Sequence, residues 1–195
     1  LFGVTQADRG NIEIFGESVT IRHPSDAIAK GVVYLPEERK AEGIFPLLSI
    51  SENMALPSYS RLRSLFGLRF GERAAEVADY VKKLRIKIGS VEDPITSLSG
   101  GNQQKVILAR WLMLGVKVLI LDEPTRGIDV NAKFEIQSML KGLCEMGLSI
   151  LYISSELLEV LEVSDRILVM HEGRIKGVQR ADQATQESLL QQAMN

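Results

Sequence analysis

Two stretches of this 195-residue chain carry residue types that could do chemistry on an anionic ligand. The first is Leu98-Ser99-Gly100-Gly101-Asn102-Gln103-Gln104-Lys105, where a serine and two glycines precede a helical pattern. Glycines let a backbone come close to a ligand, and the free N–H groups of a helix start, with the helix dipole, attract anions. Ser99 adds a hydroxyl donor. Alone, the same residues also make an ordinary turn and cap. The second stretch is Val118-Leu119-Ile120-Leu121-Asp122-Glu123-Pro124-Thr125, with Asp122 twenty-three residues beyond Ser99. Adjacent carboxylates at the C-terminal end of a buried apolar strand are costly without partners, and such strand ends are where α/β folds bind ligands. Asp122 suits holding Mg2+ through water, and Glu123 suits polarising an attacking water. A pair that merely caps the next turn is the bland alternative, and the two motifs in this order leave little room for it.

Other chemistries have few residues to work with. His23 and His171 are the only histidines and read as surface residues, and the single cysteine, Cys144, excludes a disulfide framework or a cysteine-based zinc site. A net charge of −2 marks no nucleic-acid binder. No uncharged apolar run reaches the roughly 18 residues that span a bilayer. Eight basic and three acidic residues fall between Arg61 and Lys87, which reads as a solvated face or as contact with an acidic partner.

The elements that must position the two motifs follow from periodicity. Asn11–Phe15 and Val19–Ile21 read as a hairpin turning at Gly16–Ser18, Ser25–Lys30 as a short helix, Gly31–Leu35 as a strand and Glu37–Gly43 as a charged loop. Ile50–Leu98 reads as helical without strands, its stripe being Ala74, Val77, Ala78, Val81 and Leu84. Then helices at Asn102–Leu114, Asn131–Glu145 and Glu156–Leu161 alternate with strands at Lys117–Leu121, Leu148–Ile153 and Arg166–Met170. That alternation predicts a parallel sheet covered by helices. A turn at His171–Arg174 leads to a last strand, and Thr185 caps a terminal helix to Met194. The architecture expected is an α/β core interrupted by a helical insert.

In these motifs the chain resembles the ATP-binding subunit of ABC transporters. Leu98–Lys105 resembles the signature motif, Val118–Glu123 the Walker B strand, and Gly127-Ile128-Asp129-Val130 the D-loop. Asn102 within the signature, the run Glu123–Val130 and Glu37-Glu38-Arg39-Lys40 are similar to the C-terminal half of the tandem ATPases of monosaccharide importers of the ribose, galactose, xylose and autoinducer-2 type. The resemblance implies an α/β, P-loop NTPase-like ABC ATPase core with a small antiparallel β part and a helical insert. It divides the chain into a β part with the Q-loop region (1–45), the insert (46–98) and the core carrying signature and Walker B (99–195).

The resemblance also implies ATP and Mg2+ as cofactors, with Ser99, Gly100, Gly101 and Gln103 at nucleotide, Asp122 at the metal and Glu123 as the catalytic carboxylate. Thr125, Arg126 and Asp129 are implied at an interface between two such domains. The implied partners are an N-terminal ATPase half or second ABC domain, a membrane permease, indirectly a periplasmic sugar-binding protein, and no nucleic acid. The implied place is the cytoplasmic face of the inner (plasma) membrane, as a peripheral subunit.

Three departures accompany the likeness. No lysine follows a glycine, so the Walker A portion is missing, and in the family Leu1-Phe2-Gly3 would fall just after it. The Q-loop glutamine is replaced near Glu37, and Ser155 stands where the switch histidine is expected. The chain alone is therefore expected to bind ATP weakly and not to hydrolyse it. A soluble ABC-type ATPase of DNA repair or ribosomes, and a truncated non-hydrolysing remnant, are the alternatives. The segment Phe45–Ser60 is expected to face the permease or to pack the insert.

Overall fold

A computed structural model describes residues 1–58, 63–64, 67–68 and 70–194. The two N-terminal strands, β1 (Ile12–Ile14) and β2 (Glu17–Val19), form an antiparallel hairpin. Its turn falls at Phe15-Gly16 rather than at Gly16–Ser18, because both residues take positive φ (53° and 79°), as a two-residue turn between twisted strands requires. Helix α1 (Pro24–Ala29) and strand β3 (Val32–Leu35) follow. The charged 37–43 segment is not an open loop. It closes one wide helical turn in which Ile44 N donates to Arg39 O at 3.0 Å.

The sheet that carries the site is three-stranded and parallel, in the order β3, β6 (Val118–Asp122), β7 (Ser149–Ile153). Its residues alternate between two apolar layers. Val33, Leu35, Leu119 and Leu121 face the main core, with Ile107 and Leu108 of α4 (Gly100–Leu112) and Ile136 and Leu140 of α5 (Val130–Glu145). Val32 and Ile120 face Ile21, Ala27 and the β1–β2 hairpin. Apolar neighbours on both faces explain why β3 and β6 read as unbroken apolar runs.

The insert holds α2 (Ile50–Ala55) and α3 (Phe70–Lys83). Ser49 and Glu52 make a reciprocal capping box at the start of α2. Between the helices, β4 (Arg63–Ser64) and β5 (Gly67–Leu68) pair antiparallel, against the strand-free reading. The inner face of α3 is Val77, Tyr80, Val81 and the following Leu84, while Ala74 and Ala78 are exposed. Arg61 and Arg69 of the basic stretch, and Tyr59 and Ser60 of the segment expected to face a permease, lie outside the described residues.

The insert is tied to the core by a buried cation. Arg110, 5% exposed on α4, donates to Asn53 O (2.6 Å), Gly43 O (2.7 Å) and Asn53 Oδ1 (3.0 Å). Burial lowers its pKa to about 10. Asn53, fully buried, uses its amide on Phe45, Leu48 and Ser49 carbonyls and accepts from Phe45 N.

The C-terminal part departs from the expected sheet. After α6 (Leu157–Val163), strand β8 (Arg166–His171) does not extend the parallel sheet among the described residues. It pairs antiparallel with β9 (Arg174–Arg180) through a Glu172-Gly173 turn in which both residues have positive φ. Helix α7 (Gln186–Met194) covers that hairpin with Leu189 against Ile167 and Val169, and Ser188 N donates to Thr185 Oγ1 as expected.

Candidate functional site

Strand β6 delivers Asp122 to its C-terminal end. From the neighbouring strand, Tyr34 donates its hydroxyl to Asp122 Oδ2 at 2.9 Å. Burial, then the bond to Asp122, pushes the Tyr34 hydroxyl up to about 12, so it stays a donor at neutral pH. Glu123 then leaves the strand with φ 44°, a left-handed conformation that costs a non-glycine residue about 1–2 kcal/mol. The turn is held by the end of β7: Glu123 N donates to Ile153 O at 2.9 Å, and Ser155 N donates to Glu123 Oε1 at 2.6 Å. Ser154 Oγ reaches Glu123 Oε2 at 3.4 Å.

Beneath this turn lies a carboxylate that sequence reasoning missed. Glu159, 4% exposed on α6, accepts from Thr125 Oγ1 (2.9 and 2.8 Å), Tyr152 OH (2.9 Å), Ser154 Oγ (3.1 Å) and Lys133 Nζ (2.5 Å). Burial pushes its pKa up, but donation from Lys133, Thr125 and Tyr152 outweighs this and holds it below the ordinary value. Its one signal in the sequence is its place, with Glu162, in the otherwise apolar run Leu157–Val163. Such a residue must find partners if it turns inward. Thr125 is thereby removed from the expected interface set, being 2% exposed and bonded inward.

The signature edge lies at the start of α4. Ser99 is the N-cap, exposed, with its side chain making no cap bond. A Cβ on Gly100 would meet Arg39 Nη2 at 2.9 Å and Ile128 Cγ2 at 3.2 Å, and one on Gly101 would meet Ala132 Cβ at 2.5 Å. The buried Gly101 therefore makes room for helix α5. Gln103 turns away from this edge. It is 6% exposed and donates to Ile95 O (3.4 Å) and Leu98 O (3.2 Å), closing the turn before the helix.

The remaining expected residues lie around the same end of the sheet. Glu37 pairs with Arg126, joining the 37–43 turn to the segment after Glu123. Asp129 is exposed and caps α5 by accepting from Ala132 N at 2.9 Å. Ser155 offers Glu123 a backbone N–H, in the position where an imidazole was expected. No cluster of three metal-ligating side chains occurs among the described residues. Asp122, oriented by Tyr34, fits a Mg2+ that is held also by phosphates and water.

A parallel sheet with paired carboxylates at its end, and a Ser-Gly-Gly helix start packed near the following helix, place the chain in the α/β fold class. The family described as ABC transporter matches residues 1–126, and the chain belongs to it. The chain is 50% identical over 191 residues to the ribose import ATP-binding protein RbsA of Bacillus subtilis, covering 97% of this chain and 38% of that protein. It is 47% identical over 191 residues to the xylose import ATP-binding protein XylG of Thermoanaerobacter pseudethanolicus, with the same coverage of both chains. The chain thus spans well under half the length of these relatives. The dimeric structure of a bacterial ABC transporter cassette, MJ0796, superposes with a TM-score of 0.75 at 20% identity, over 91% of this chain and 76% of that one. This last likeness concerns the fold.

Proposed function

We propose that this chain is a C-terminal nucleotide-binding part of an ATPase that energises import of a ribose- or xylose-like sugar through a membrane permease. In this reading Ser99, Gly100 and the α4 N-terminus face ATP held by a second ABC domain. Asp122 and Glu123 form the chain's own half-site, and Arg126 and Asp129 flank the contact between domains. Bound Mg2+ would neutralise charge on the phosphates, and Asp122, steadied by Tyr34, is the residue to hold it. Glu123, oriented by Ser155 N, is the residue to polarise water. The observation that carries the reading is the strained Glu123, at φ 44° and bonded through both its backbone N–H and its carboxylate to the end of β7 and the turn after it. Such strain persists where the surroundings over-determine a functional conformation.

The two half-sites should differ in weight. Ser99→Asp keeps a good N-cap residue but sets a negative charge where phosphate approaches. In the assembled ATPase it should lower turnover by about a hundredfold, an energy on the order of 3 kcal/mol. Glu123→Gln, at a site with Ser155 in place of an imidazole, should cost less than about threefold. Steady-state ATPase assays on each variant test this. Equal damage from both would show that this chain hosts the working site, and no damage from Ser99→Asp would remove the signature role.

A further inference from the structure

We propose that Asn102 is a positioning residue that sets the polarity of the Ser99 hydroxyl, so that its proton is directed outward to a ligand acceptor. The inference rests on the nucleotide-facing role of Ser99 proposed above. Three other helices of the chain use their N-cap oxygen to accept a backbone N–H: Ser49 accepts from Glu52 N, Asp129 from Ala132 N and Thr185 from Ser188 N. Ser99 makes no such bond, although its carbonyl accepts from Gln103 N at 2.9 Å in the ordinary way. Instead the side chain of the third helical residue reaches back, and Asn102 Nδ2 stands 3.1 Å from Ser99 Oγ.

Which end of the amide faces the serine is fixed independently. Lys87 N lies 2.9 Å from Asn102 Oδ1, and a backbone N–H can only donate. The oxygen of the amide is therefore committed to Lys87, and its NH2 must face Ser99. An NH2 group is only a donor, so Ser99 Oγ accepts and its own proton is left for another acceptor. The exposed side of Ser99 is where that acceptor must come, and a phosphate oxygen fits.

The anchor is rigid enough for this task. Leu84 and Ile86 are buried on either side of Arg85, which is held at φ 49°. Lys105, 3% exposed on α4, donates to Arg85 O at 3.3 Å and pairs with Glu135 at 2.7 Å. Ile86 N closes on Val81 O at 2.9 Å. The 84–88 turn thus binds to the same helix it orients, one turn further along.

A double-mutant cycle in the assembled ATPase tests the inference. Asn102→Ala and Ser99→Ala should each lower kcat/KM for MgATP by about five- to tenfold, and the double variant should be no worse than Ser99→Ala alone. Asn102→Asp keeps the acceptor for Lys87 N and places an acid in the first turn of α4, so its Tm should not fall. Its carboxylate can only accept, so it captures the Ser99 proton. Activity should then drop about tenfold when Ser99 is present, and should not drop further when Asn102→Asp is combined with Ser99→Ala. A purely structural role would show in Tm and not in this dependence on Ser99. A cost of Asn102→Asp that persists in combination with Ser99→Ala would be plain charge repulsion and would overturn the proposal.

The geometry has its own readout. Hydrogen exchange at the Lys87 amide should accelerate in Asn102→Ala and stay unchanged in Ser99→Ala. Unchanged exchange in Asn102→Ala overturns the positioning link whatever the activity does. If Lys87 responds and Ser99→Ala leaves kcat/KM intact, the nucleotide-facing role of Ser99 has failed, and the inference with it.

Discussion

At the scale of single residues, Glu159 organises more of the site than either carboxylate of the Asp122-Glu123 pair. It receives hydrogen bonds from the turn after β6, from β7, from the turn that follows β7 and from α5. Removing it leaves Lys133 with the exposed Glu156 as its remaining partner and strips Thr125 and Ser154 of a shared acceptor. Glu159→Ala should therefore destabilise the chain by about 3 kcal/mol, read from urea unfolding. The same residue gives a pH dependence with a definite sign. Its folded pKa lies below the ordinary glutamate value, so its stabilisation is complete above that ordinary value and is lost as pH falls through the folded one. Wild type should lose stability on acidification below about pH 4.5, and Glu159→Ala should lose less of it there. Parallel pH curves for the two proteins would sink the claim.

At the scale of elements, the contact between α4 and α5 explains a glycine that the sequence offers as a ligand-side residue. A Cβ at Gly101 would lie 2.5 Å from Ala132 Cβ, so the cost of substitution lies between helices. Gly101→Ala should destabilise by about 1–3 kcal/mol despite better helix propensity, and Ala132→Gly in the same chain should recover part of that loss. Thermal unfolding of the two single variants and the pair decides, and no recovery in the pair would place the strain elsewhere. The tie between insert and core makes a second case. Asn53→Ala removes the acceptor of Arg110 Nη2 and the amide that closes the 45–49 turn, and should cost about 3 kcal/mol. A variant that unfolds at the wild-type urea midpoint would show that Arg110 finds other acceptors.

These contacts also mark how far the sequence could be read. The apolar runs of β3 and β6, and the helix that begins at Gly100, were legible because burial on two faces leaves an unbroken apolar pattern. The carboxylate pair was legible because its strand names its position. Nothing in the sequence singles out Arg110 or Glu159, since key partners, Asn53 and Thr125, lie 57 and 34 residues away. The turn at His171–Arg174 was legible, but not that β8 pairs with β9 apart from the parallel sheet, because its apolar run Ile167–Met170 resembles that of β6. Within the Phe45–Ser60 segment, Met54 is wholly buried, as the packing alternative expects.

At the scale of the whole molecule, the surface expected to meet a permease contracts to a small tip. Phe45 and Leu47 are 48% and 98% exposed beside exposed Pro46, while Ile50 and Met54 turn into the core. The tip is held from below: Asn53 bonds both polar atoms of the Phe45 backbone, and the Arg110 guanidinium lies 5.4 Å from the Phe45 ring centroid. No helix among the described residues is long and apolar enough to cross a membrane. An apolar side chain held almost wholly in water on a fixed turn contributes nothing to folding and suits a protein partner. Leu47→Asp should thus change stability by less than about 0.5 kcal/mol. In the assembled importer it should weaken association with permease-bearing membranes by about tenfold, since a buried interface leucine is worth on the order of 1–2 kcal/mol and a charge adds desolvation. Co-sedimentation with membranes and a urea midpoint, measured on one preparation, separate the two effects. Membrane association at the wild-type level, with the fold intact, would move the permease contact away from this tip.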